Sequence, residues 1–279
     1  MGGEIQGIAI DPSGDHFVSF THSIYAFDAN WKLLWKNTQP FAGLAATVNH
    51  IGDVEYSNGL IYAPVEYFEK CGDFSSQLIV TYDAGTGRLV NWVDISGDAH
   101  EASAAAVIAK NGQVVISSYC DDNHGASTLW VYSLDGVTNG PAGSALTKQD
   151  TIALSQRIIE IQGLSWDPQT DEFLMSSDLF GHVGYLWLVS ATGTVMGPAY
   201  TVPQSEGKEL EGVDATQDEA YYAEQGHIYR MPMPRSPLEM DSSTGLRPRN
   251  DGEAWGLPSH ANEIAGRDLI TEPSAGNRP

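Results

Sequence analysis

Only two cysteines, Cys71 and Cys120, occur in 279 residues, which excludes a disulfide-built scaffold and a multi-cysteine zinc fold. Basic residues are scarce as well: 14 Lys and Arg stand against 36 Asp and Glu, for a formal charge of -22. Nucleic-acid binding relies on clustered Lys and Arg at phosphates, so nucleic acid is excluded as a partner. An acidic surface also repels anionic lipid. No apolar run approaches the roughly 20 residues of a membrane-spanning helix, and no membrane partner is expected. There is no Gly-x-Ser-x-Gly elbow, phosphate-binding glycine loop or zinc spacing, which disfavours serine hydrolases, NTPases and zinc fingers. The start, Met1-Gly2-Gly3, lacks the basic and apolar regions of a secretory leader. It reads as a scar on a mature domain that has lost its leader, so the expected location is secreted or periplasmic; a natural cytosolic start is the alternative.

What is present is a repeat. Aromatic or apolar strands ending in turns recur as 23–28, 77–83, 128–133, 185–190 and 227–231, each preceded by a shorter strand and an apolar hairpin. Hairpin signals punctuate the period: Asn58-Gly59, Asn111-Gly112 and Pro168-Gln169-Thr170-Asp171. Strands without helices, repeated every ~45–60 residues, predict an all-β, five-bladed β-propeller. Its blades open near Gln6, His50, Glu101, Gln162 and Glu211, and the domain covers 4–235. A single all-β domain of this length is ordinary, and the chain is expected to act as a monomer. From 236 to 279 the sequence is rich in breakers and poor in large apolar residues. That tail is expected to be irregular, with Asp268–Thr271 either completing the last blade or lying outside it.

In the repeat, Cys71 and Cys120 take equivalent places in loops of neighbouring blades. A disulfide between them is one expectation; two unpaired cysteines in a reducing compartment are the other.

A propeller brings the start of each first strand and the end of each second strand to one mouth beside its axis. Read in that register, the openings carry Gln6, His50, Glu101, Gln162 and Glu211, with Asp53 and His100 adjacent. The second-strand ends carry His22, Glu66, Asp121, Asp122, Asp178 and Glu224. Most acids taken singly are solvated surface, but carboxylates converging on an axis raise one another's pKa or recruit a cation. Calcium takes 6–8 oxygens at about 2.3–2.6 Å, and Glu66, Glu101, Asp178 and Glu211 are the candidate ligands. The histidines leave a transition metal as the alternative. A wet channel of mutually hydrogen-bonded side chains is the plain reading of the same residues.

Glu211-Gly212-Val213-Asp214, with its variants Gln6-Gly7-Ile8 and Gln162-Gly163-Leu164, resembles the strand openings of calcium-containing propellers. These are the gluconolactonase and paraoxonase-like esterases, the phytase-like esterase domain and, nearest in phrasing, the SdiA-regulated family. The resemblance implies a metal-binding role for Glu211. It covers the strand openings only, and the gluconolactonase pattern has Pro where this chain has Val213.

Two functions follow as expectations. The first is a metal-dependent hydrolase of an ester, lactone or phosphoester of a small polar molecule. His50, His100 and Asp53 are its catalytic candidates, and Gln6, His22, Gln162, Tyr119 and Glu224 its ligand-binding candidates. The second is a non-catalytic propeller that binds a carbohydrate or protein partner, with Tyr67, Phe68, Tyr119 and Phe180 offering stacking surfaces.

Overall fold

A computed structural model of the chain describes residues 4–69, 75–98, 101–119, 125–178, 183–203, 208–224, 226–233 and 262–263. Five antiparallel sheets form the five blades of a propeller. Blade one is β1 (Ile5–Ile10), β2 (His16–Phe20), β3 (Ser23–Phe27) and β4 (Leu33–Asn37). Blade two is β5 (His50–Ile51), β6 (Glu55–Ser57), β7 (Leu60–Glu66), β8 (Gln77–Asp83) and β9 (Leu89–Asp94). Blade three is β10 (Ala104–Ile108), β11 (Gln113–Ser117), β12 (Gly125–Ser133) and β13 (Asp150–Ile159). Blade four is β14 (Ile161–Asp167), β15 (Glu172–Asp178), β16 (Val183–Ser190) and β17 (Val195–Pro203). Blade five is β18 (Leu210–Ala215), β19 (Glu219–Glu224), β20 (His227–Pro232) and β21 (Asn262–Glu263).

The hairpins follow their turn chemistry. Asn58 and Gly59 both take positive φ, at 51° and 81°, as a two-residue turn between β6 and β7 needs. Each pair of adjacent blades then encloses its own apolar core. Phe17 and Val80 share the layer between blades one and two, and Ile79 and Tyr132 the next. Phe173 lies in the layer between blades three and four, and Leu174 in that between four and five, so consecutive residues of β15 serve opposite faces. The ring closes where Tyr221, Ala223 and Ile228 pack on Ile5, Ile8 and Val18.

Three details differ from the sequence reading. The first strand of blade two is not continuous from His50 to Tyr56 but breaks between β5 and β6. There the Gly52 N–H still reaches the Pro64 carbonyl at 3.0 Å, whereas the Asp53 N–H turns away to the Ser103 carbonyl at 2.9 Å. Pro64 has no N–H to continue the ladder. Second, the fourth strand of blade five is Asn262–Glu263, paired to Tyr229 and Arg230; Asp268–Thr271 lies outside the described residues. Third, an all-strand repeat is interrupted by α1 (Leu134–Asn139), capped where the Ser133 side chain accepts from Gly136 N.

Candidate functional site

The axis is built around one carboxylate. The break in blade two swings Asp53 inward, where its Oδ1 accepts the Ile8 N–H at 3.1 Å. Its Oδ2 accepts the Leu164 N–H at 3.0 Å and the Val213 N–H at 3.1 Å. With its own N–H on Ser103, this residue of blade two is hydrogen-bonded to blades one, three, four and five. The repeated Gly-Ile, Gly-Leu and Gly-Val pairs now have a cause. A Cβ on Gly7, Gly163 or Gly212 would fall 2.2–2.8 Å from an Asp53 carboxylate oxygen, so only glycine lets the backbone reach it. Gly52 is tighter still, since its Cβ would lie 1.9 Å from the Ser103 carbonyl oxygen.

Asp53 is 0% exposed, and its contacts are those of a structural tie. Burial pushes its pKa well above the usual carboxylate range, against the opposing pull of the three amide donors. Two more acids lie in this interior. Asp214 accepts from Ile10 N at 2.6 Å, Ala215 N at 2.7 Å and Ser165 Oγ at 2.8 Å, and burial holds its pKa at about 7. Glu55 is pushed well upward by burial and by the charges of Asp214 and Asp53.

Several other residues anticipated at the mouth bond one another. His50 Nδ1 meets Glu66 Oε1 at 3.3 Å, and His50 Nε2 meets Gln6 Oε1 at 2.7 Å. Glu66 Oε2 accepts the Ala102 N–H at 3.0 Å, which ties this group to blade three. Glu101 lies just before β10 and accepts from Ser118 Oγ at 3.3 Å. Glu211 is raised well above the usual range by burial and by Glu209, Glu4, Asp178 and Asp53. Tyr119 hydrogen-bonds Glu160; burial, then the charges of Glu160, Glu209 and Asp178, push its hydroxyl pKa up.

Exposure separates these residues. Gln6, Glu66, Glu101, Asp178, Glu211 and Glu224 are buried, whereas His50 is 19% exposed and Gln162 and Tyr119 are partly exposed. His22 is exposed, its ring edge-on to Phe41 at 6.3 Å. His100, Asp121, Asp122, Phe180, Cys71 and Cys120 lie outside the described residues. Glu160 and Glu209 were not singled out from the sequence. Glu160 ends a blade instead of opening one, and its buried position at φ 50° leaves no pattern in the strand alternation. Among the described residues, no three of His, Cys, Asp and Glu are grouped so as to hold a metal ion.

No protein-family model matches the chain, and no curated protein does. The resemblance to calcium propellers thus rests on the strand openings alone. A chain of a structure titled mitotic checkpoint complex aligns with 81% of this chain at 11% identity and a TM-score of 0.42. Only 59% of that longer chain is covered. In all, 894 solved chains match, and a fold so widely shared fixes no chemistry. Glutaminyl cyclase of Myxococcus xanthus aligns with 82% of this chain and 91% of its own, at 13% identity and a TM-score of 0.52, so this chain is similar in fold to an enzyme.

Proposed function

We propose that the mouth hydrolyses an ester or lactone of a small polar molecule, with His50 as the general base. The observation that carries this reading is that His50 is partly exposed while the Glu66 carboxylate orienting it is buried. An accessible imidazole steered by a buried acid is the arrangement that general-base chemistry uses. A water displacing Gln6 Oε1 meets Nε2, passes its proton there and attacks the acyl carbon. The imidazolium then returns the proton to the leaving alkoxide, so acid and alcohol are the products. Gln162 and Tyr119, both partly exposed on other blades, are the proposed substrate contacts. The acidic surroundings favour a neutral or cationic substrate over a phosphoester.

Calcium, expected from the strand openings, is used by no step here. The test is a panel of chromogenic esters and lactones. Turnover by the wild type and a loss of about 10²-fold or more in His50→Gln, with unchanged circular dichroism, is the expected result. No turnover across the panel, or equal turnover by the variant, would reject it.

A binding module is the second reading. Phe68 is 36% exposed with its ring 5.7 Å from that of His50, an apolar face beside polar groups of the kind that stacks on a sugar. A glycan array with a specific hit, lost in Phe68→Ala, would place this reading first.

A further inference from the structure

We infer that a sealed internal-water site lies on the face of blade two that packs against blade three, built on Gln77 and the neighbouring Glu66. Gln77 is 0% exposed, yet neither its Nε2 nor its Oε1 has a hydrogen-bond partner among the described residues. Its backbone groups are satisfied, since the N–H reaches Ser96 Oγ at 2.9 Å and the carbonyl accepts from Ile95 N at 2.9 Å. Only the side-chain amide is left over. Burying an amide with no partner costs about 1–3 kcal/mol or more, so native interiors fill such places, most often with water.

Register decides what else touches that water. Gln77 lies directly opposite Glu66 across β7 and β8, and opposed residues of an antiparallel pair project to the same face about 4.5–5.5 Å apart. Ile79, two residues along β8, packs in the layer shared with blade three, so Gln77 faces that layer too. Glu66 is turned the same way, since its Oε2 takes the Ala102 N–H of blade three. A carboxylate offers about four acceptor positions, and the named contacts of Glu66, from His50 and Ala102, use two. A water donating to Glu66 and to Gln77 Oε1, and accepting from Gln77 Nε2, gives both unpartnered amide atoms a hydrogen bond. It also adds a donor behind the acid that steers His50. The inference stands whether or not His50 is a base, because none of its evidence involves turnover.

The experiment is a high-resolution crystal structure of the full chain, with the melting temperature of Gln77→Met. The expected result is an ordered water within about 3.2 Å of the Gln77 amide and of Glu66. In the variant, whose side chain has similar length and no amide, that water should be missing and the melting temperature lower by about 3 °C or more. A wild-type structure with the amide bonded only to protein groups, or with no water there, would overturn the inference. So would a variant at least as stable as the wild type, since removing an unpaired buried amide is then a gain. If the variant does not fold, the wild-type crystal structure alone decides.

Discussion

The Val213 amide and the Asp53 carboxylate, 160 positions apart in the chain, meet at 3.1 Å. That bond joins blade five to blade two across the axis, and the Ile8 and Leu164 amides add blades one and four to the same carboxylate. A ring of blades has few direct contacts across its centre, so one buried acceptor with three donors is a concentrated source of stability.

Asp53→Ala leaves three backbone N–H groups buried without an acceptor. At about 1–3 kcal/mol for each orphaned group, the expected loss is on the order of 3–9 kcal/mol. Urea unfolding followed by circular dichroism measures it; a loss below about 1 kcal/mol would show that the carboxylate does not hold the blades together.

Gly52→Ala sets a Cβ 1.9 Å from the Ser103 carbonyl oxygen, which is backbone and cannot move aside alone. Gly59→Ala meets nothing within 4 Å and suffers only from its φ of 81°. The first should cost several kcal/mol and the second about 1–2 kcal/mol. Parallel denaturation curves check the order.

Stability should fall as pH rises from about 4 to 7. Asp214 has an ordinary pKa of 3.8 and a folded value of about 7. In that window the folded chain keeps a proton that the unfolded chain has released, so the stabilisation is full below pH 4 and gone above 7. The total is about 4 kcal/mol at 1.36 kcal/mol per unit. Asp53, Glu55 and Glu211 are raised too and act with the same sign. Melting temperatures from pH 4.5 to 8 should decline in the wild type and decline less steeply in Asp214→Asn; a rise would refute the assignment.

Glu211→Gln should leave the fold intact, because Gln matches the acid in size and burial disfavours the charged form that it removes. Comparing its melting temperature with that of the wild type, with and without calcium, also tests the metal expectation. A calcium-dependent rise in the wild type alone would assign Glu211 to the ion. Equal responses would remove it from the ligand set.

A Cys71–Cys120 bond is an expectation from the repeat in the sequence alone, since both residues lie outside the described ones. A thiol titration of oxidised protein should find no free thiol without reductant; two would argue against both the bond and an oxidising compartment.

Strand content was legible because it is local. The third strand of blade two, Gln77–Asp83, and the hairpin of blade four around Pro168 follow from alternation and turn residues, and the structure has both. The meeting of Gln6, His50 and Glu66 was legible too, since a repeat fixes which strand ends face the axis. Asp53 was not. Its place depends on a ladder broken at Pro64 and on glycines in three other blades, and spacing along one strand carries no record of either. Burial was equally hidden: Glu66 and His50 occupy similar register positions, yet one is enclosed and the other reachable. By itself the sequence determined the number of blades and the side chains directed to the mouth, because strand period and turn chemistry act over a few residues. Only the tertiary structure decided which of those groups meets solvent and which becomes the tie at the centre, because exposure and long-range hydrogen bonds exist only once all five blades have closed.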